Sequence, residues 1–143
     1  MTIEIINTSH HALPEYQTEH AAAMDARAFL DEPLVLKPLE RAAVPTGLFL
    51  AIPSGYEMQV RSRSGLSLKH GIVCINSPGT IDADYRGELK ILVANLSNDP
   101  YEIKDGDRIA QLVVSKCERV QWQVVTKLDE TERSHGGLGS TGR

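Results

Sequence analysis

Tyr56-Glu57-Met58-Gln59-Val60-Arg61 alternates residue by residue: Tyr56, Met58 and Val60 fall on one face, and Glu57, Gln59 and Arg61 on the other. A period of two marks a half-buried strand, because successive side chains point to opposite faces of a sheet. Working outward, residues 72–75, 89–96, 109–115 and 120–126 are rich in β-branched and aliphatic residues and predict further strands. In the last of these, Val120, Trp122 and Val124 share a face. Turn chemistry separates the runs: Pro53-Ser54-Gly55, Ser77-Pro78-Gly79, Asn98-Asp99-Pro100 and Asp105-Gly106-Asp107. Many short strands so punctuated predict an all-β fold, a jelly-roll-like barrel or sandwich.

Two segments break the pattern. Residues 21–30, Ala-rich, have the propensity of a helix. Residues 64–70 have room for one or two helical turns. No internal repeat is visible. The last stretch, 129–143, carries Gly136, Gly137, Gly139 and Gly142 and one large apolar residue, Leu138. It has too little to bury to offset an ordering cost of about 1–2 kcal/mol per residue. The chain therefore divides into a β domain, 1–128, and a glycine-rich arm, 129–143.

Composition narrows the partners. A chain of 143 residues suits one domain. A net charge of −4 argues against nucleic acid and acidic membranes, whose binding needs clustered Lys and Arg. Any anion must be held by a few placed groups. Cys74 and Cys117 lie in apolar runs and read as buried, reduced thiols. The amino terminus lacks the pattern of a secretory signal, and no apolar run approaches a membrane span, so a soluble cytoplasmic protein is expected. The five histidines (His10, His11, His20, His70, His135) do not fall into a metal-ligand spacing.

Four stretches could carry chemistry. The arm's Gly-Gly-x-Gly-Ser-Thr-Gly run offers backbone N–H groups and the Ser140 and Thr141 hydroxyls to an anion, with Arg133 adding a phosphate-matching fork. It is not a Walker loop, since no Gly-Lys-Ser/Thr follows. Arg63-Ser64-Gly65-Leu66 offers further phosphate donors, and Gly65 permits close backbone approach. Residues 79–88 place Asp82 and Asp84 beside Tyr85, either a solvated acidic turn or a general base near an aromatic ring. Gly106-Asp107-Arg108-Ile109-Ala110-Gln111-Leu112 sets one polar Gln in an apolar strand. Each alone also reads as ordinary surface; their joint order is the signal.

In that order they resemble the five motifs of the trimeric dUTPase family, from about Ala22 to Gly142. The first is residues 22–28 around Asp25, with Pro45-Thr46-Gly47 following. The others are Arg63 to Leu66, Asn76 to Gly87, Gly106 to Leu112, and Arg133 with Gly136 to Gly142. Here Ala26, Ser62, Ser134 and Leu138 depart from the family pattern. Leu138 stands where a Phe usually covers the uracil, so weaker ring capture is expected. The resemblance overrides the helix suggested at 21–30.

It implies a homotrimeric dUTP diphosphatase that hydrolyses dUTP to dUMP and diphosphate, keeping uracil out of DNA and supplying dUMP for thymidylate synthesis. Each site would draw motifs one, two and four from one chain, motif three from a second and the arm from the third. By resemblance, Asp82 is the base for a water that attacks the α-phosphorus. Mg²⁺ bridges the phosphates, with Asp25 holding its water ligands. Arg63, Ser64, Gly65 and Gln111 contact phosphates. Asn76, Gly79, Ile81 and Tyr85 read uracil and deoxyribose. Arg133, Leu138, Gly139, Ser140 and Thr141 close the site. No nucleic acid or membrane partner is implied. The alternatives are a dCTP deaminase relative and a non-catalytic nucleotide-binding module on the same fold.

Overall fold

The computed structural model describes residues 1–137. Leu138, Gly139, Ser140 and Thr141 lie outside them. The chain runs through β1 (Glu4–Asn7), β2 (Met24–Arg27), β3 (Leu34–Leu36), β4 (Arg41–Ala51), β5 (Tyr56–Arg61), α1 (Ser64–His70), β6 (Ile72–Cys74), β7 (Gly79–Ile81), β8 (Glu88–Asn95), β9 (Tyr101–Ile103) and β10 (Arg108–Lys116). Two four-stranded antiparallel sheets, ordered β1-β4-β8-β6 and β2-β10-β5-β7, are accompanied by the β3-β9 pair. This is the expected all-β architecture. Among the described residues no helix is long and apolar enough to cross a membrane.

The alternating run is β5, and its apolar face turns inward: Met58 and Val60 are buried and Arg61 is exposed. They join a core in which Val44, Ile91, Val93 and Ile103 are wholly excluded from solvent. Burying each such side chain contributes about 1.5–3 kcal/mol. The predicted strands at 72–75, 89–96 and 109–115 appear as β6, β8 and β10, with no end moved by more than one residue.

At 21–30 the helix that propensity favours gives way to a strand. β2 pairs with β10, and Ala26 and Ala28 are fully buried, so sheet pairing and burial outweigh alanine's preference. Residues 64–70 do form a helix, closed by Gly71 at φ 66°, whose N–H donates to the Ser67 carbonyl.

The strand expected at 120–126 is absent. Val120, Trp122 and Val124 are 69, 89 and 96% exposed, and no strand among the described residues pairs with the segment. An unpaired strand leaves its backbone ladder unmade, so its pattern of side chains alone does not hold it.

Although the sequence shows no repeat, one local device occurs twice. Asn7 Oδ1 accepts from the Ser9 N–H at 2.9 Å and the Ser9 hydroxyl at 2.7 Å; Asn95 Oδ1 does the same for Ser97 at 2.9 and 2.7 Å. In each, the residue between donates its N–H to a glycine carbonyl at 2.8 Å, Thr8 to Gly47 and Leu96 to Gly71. Both glycines have positive φ, and a Cβ on either would strike the serine backbone. These Asn-x-Ser latches end β1 and β8 with their polar groups satisfied.

Cys74 is buried, as expected, and desolvation pushes its thiol above the ordinary value despite the hydrogen bond credited to Ser62. The Ser62 hydroxyl also accepts the Cys74 N–H at 2.8 Å. Cys117 is only half-buried, against expectation, because it follows the end of β10 where the sheet has run out. Desolvation and the Glu57 and Asp82 carboxylates raise its pKa.

Candidate active site

The register of the second sheet aligns three polar residues. Gln111 of β10 faces Asp25 of β2 on one side and Arg61 of β5 on the other. Directly opposed residues of antiparallel strands share a face, so one row crosses the sheet. β5 ends at Arg61, and the chain turns through Ser62 and Arg63 into α1.

Arg63 folds back over the row. Its Nη1 donates to the Arg108 carbonyl at 2.8 Å, and its Nε lies 2.9 Å from Asp25 Oδ1. On the other side Arg108 Nη1 donates to Asp25 Oδ2 at 3.0 Å. Asp25, only 12% exposed, is thus flanked by two guanidinium groups. The Nε–H of Arg63 does not aim at the carboxylate and, although buried, has no hydrogen-bond acceptor. Ser64 is exposed, and nothing lies within 4 Å of where a Cβ of Gly65 would sit. Two cations, a hydroxyl and open backbone beside one carboxylate can receive phosphate oxygens.

The donor set fits Mg²⁺ held through water. Asp25 supplies a hard oxygen ligand, and both its oxygens are already engaged by arginines, which favours contact through the ion's retained waters over direct ligation.

A second group assembles around β7. Met58, Gln59 and Val60 of β5 pair with Ile81, Thr80 and Gly79. Beside this ladder is a cavity of about 260 Å³ lined by Asn76, Gly79, Ile81, Asp82 and Tyr85, together with Lys90 and others. The loop entering β7 contains a cis Ser77–Pro78 bond. A Cβ on Gly79 would lie 2.9 Å from Asn76 Nδ2, so glycine there lets the amide approach the strand. The Tyr85 hydroxyl donates to the Glu88 carbonyl at 3.0 Å, and a Cβ on Gly87 would collide with that hydroxyl. The ring lies at the cavity edge, close against Gly87, with Asp82 exposed beside it.

The structure thus gathers the expected residues into two groups. Asp25, Arg63 and Gln111 lie together on β2, α1's entrance and β10; Asn76, Gly79, Ile81, Asp82 and Tyr85 line the cavity, which none of the first group lines. Arg133 joins neither. It is exposed, and its Nε donates to the carbonyl of Gly136 at 2.9 Å. Arg108 is the residue that sequence reasoning passed over. It lies within the Gly106 to Leu112 motif, and its sequence signal is a lone cation beside the turn that enters the Gln111 strand.

The comparisons bear on this geometry. The family described as dUTPase matches residues 9–142. The chain is 54% identical over 142 residues to a deoxyuridine 5'-triphosphate nucleotidohydrolase of Finegoldia magna, covering 99% of each. It is 52% identical to the protein of the same name from Cytophaga hutchinsonii, covering 99% of this chain and 92% of that one. Among solved structures it is similar to the dUTPase of Staphylococcus bacteriophage 80alpha with dUpNHpp, at TM-score 0.88 and 29% identity over 99% of both chains. A variant of the phage phi11 dUTPase, described for its coordination of a structural Mg(II) ion, matches at TM-score 0.81 and 27% identity, covering 91% of this chain and 100% of that one.

Proposed function

Because the chain belongs to the dUTPase family and is an enzyme that hydrolyses dUTP to dUMP and diphosphate, we propose that its active site is completed only when three copies of the chain meet. The observation that carries this is the separation of the two residue groups, together with Arg133, which bonds to Gly136 and joins neither. One chain supplies Asp25, Arg63, Ser64, Gly65 and Gln111; a second supplies the cavity of Asn76 to Tyr85; a third supplies Arg133, Leu138, Gly139, Ser140 and Thr141. The exposed apolar face of Val120, Trp122 and Val124 supports the same reading, since a neighbouring copy would cover it.

Uracil and deoxyribose occupy the cavity, and the triphosphate extends towards the arginines. Asn76 and neighbouring backbone groups read the uracil edge. Tyr85, its hydroxyl bonded to the Glu88 carbonyl, packs under the sugar and excludes a 2'-hydroxyl. Asp82 positions a water molecule and takes its proton as the oxygen attacks the α-phosphorus. The bond from that phosphorus to the bridging oxygen breaks, leaving dUMP and diphosphate. Arg63 and Arg108 hold phosphate oxygens, and the unpartnered Nε–H of Arg63 gains an acceptor when its side chain turns to them. Asp25 would hold water ligands of Mg²⁺ once its arginines turn to the phosphates. When bound, the ion neutralises charge accumulating on the phosphates. The arm closes over the γ-phosphate. The enzyme works in the cytoplasm.

Diphosphate release from dUTP, dTTP, dCTP and UTP, each with and without Mg²⁺, tests the reading. Rapid release is expected from dUTP with Mg²⁺ alone. Comparable rates on dTTP or UTP would remove the cavity from base and sugar selection.

A further inference from the structure

On the rim formed by the turn before β10, three groups converge that the dUTP site does not use. His10 Nε2 lies 2.9 Å from Asp105 Oδ2, and His11 Nε2 lies 2.9 Å from Asp105 Oδ1. The ligating atoms of all three fall within 4.8 Å of one another. Sequence spacing gave no hint, because the carboxylate comes from the far end of the chain. We propose that His10, His11 and Asp105 form a surface site for a divalent transition metal of borderline softness, of which Zn²⁺ is the type. Two imidazoles and one carboxylate suit such an ion and disfavour Mg²⁺, which prefers oxygen ligands. Tetrahedral zinc, with bonds of about 2.0–2.1 Å, separates its ligand atoms by about 3.3 Å. The two nitrogens lie 2.9 Å from different oxygens of Asp105, so side-chain adjustment that widens these spacings would bring all three residues onto one ion.

The scaffold holds the ligands in advance. The first Asn-x-Ser latch sets the backbone: Asn7 Nδ2 donates to the His11 carbonyl at 2.8 Å, and the Ser9 hydroxyl accepts the His11 N–H at 3.2 Å. Phe29 meets both imidazoles edge-on, with centroids 5.6 and 6.3 Å away. Gly106, at φ 82°, lets the turn lie against His11; a Cβ there would stand 3.2 Å from the ring. Asp105 Oδ1 also accepts the Leu30 N–H at 3.0 Å. These contacts orient both rings and the carboxylate, as outer partners do at metal sites. Three protein ligands leave a coordination position for water. A bound ion would tie the exit of β1 to the turn that feeds Arg108 and Gln111 into β10.

The test uses the full, untagged chain, stripped with chelator and titrated with Zn²⁺ by calorimetry and with Co²⁺ by absorption spectroscopy. One ion per chain is expected, with Co²⁺ bands of nitrogen and oxygen ligation and a Zn²⁺-dependent rise in the unfolding midpoint. His10→Ala, whose ring is largely exposed and leaves the fold intact, and Asp105→Asn should each weaken Zn²⁺ binding about tenfold or more and abolish the midpoint rise. Absence of stoichiometric binding, or binding that both variants retain unchanged, overturns the proposal.

Discussion

Arg63 Nε and Asp25 Oδ1 lie 2.9 Å apart without forming a hydrogen bond. The ion pair still holds the guanidinium beside the carboxylate, and a phosphate oxygen arriving at Arg63 meets an Nε–H that no acceptor yet occupies.

Asp25→Asn keeps the shape of this junction and removes its charge. The protein should remain folded, while Mg²⁺-stimulated dUTP turnover falls about 10- to 100-fold. Diphosphate release across a Mg²⁺ titration checks it; an unchanged Mg²⁺ dependence would take Asp25 out of the metal's surroundings.

Asp82→Asn should bind dUTP yet lose about 10²- to 10⁴-fold in turnover. A chain cut after Lys127 should stay folded and be nearly inactive. When the two inactive proteins are unfolded together and refolded, activity should return, because some sites would draw Asp82 from one chain and the arm from another. Mixtures as inactive as their parents would mean that no site is shared in this way.

Trp122 is the sole tryptophan and 89% exposed on the isolated chain. In the assembled enzyme its emission should lie to the blue of an exposed indole. Val124→Asp should shift it red and lower the mass measured by light scattering, since each apolar side chain buried between copies is worth about 1.5–3 kcal/mol. A red-emitting wild-type protein at high concentration would contradict packing of this segment on a neighbour.

Asp105 titrates low, at about 2, because the Leu30 N–H and then His11 and His10 hold its charged form. An unfolded carboxyl of this kind titrates near about 3.9. The stabilisation is thus present above that value and is lost as pH falls through about 2. Asp105→Asn should lower the unfolding midpoint at neutral pH and flatten its decline between those two values. An identical acid profile in the variant would show that the contacts of Asp105 stabilise nothing.

Local pattern was readable where side-chain alternation and burial agreed, as at Met58 and Val60, and where turn residues marked strand ends. It misled at Ala26 and Ala28, whose burial between paired strands is a tertiary fact. It also misled at Val120 to Val124, where alternation is present but no strand among the described residues pairs with the segment. Asp25, Arg63 and Gln111 were legible through motif order; their meeting is set by the register of β10 between β2 and β5. Arg108 was harder, since its place depends on the bulge between Arg108 and Ala110. The Asn-x-Ser latches and the His10, His11, Asp105 cluster were invisible, because each joins short commonplace stretches from distant parts of the chain.

With sites shared between three copies as proposed, dividing the catalytic groups between separate regions of the polypeptide has a consequence for gene dosage. In a cell producing normal and defective versions that mix freely, damage confined to one region silences only the pockets that borrow that region. Output then declines in direct proportion to the defective share. A version damaged in all three regions spoils every pocket it touches, and output declines with the cube of the healthy fraction.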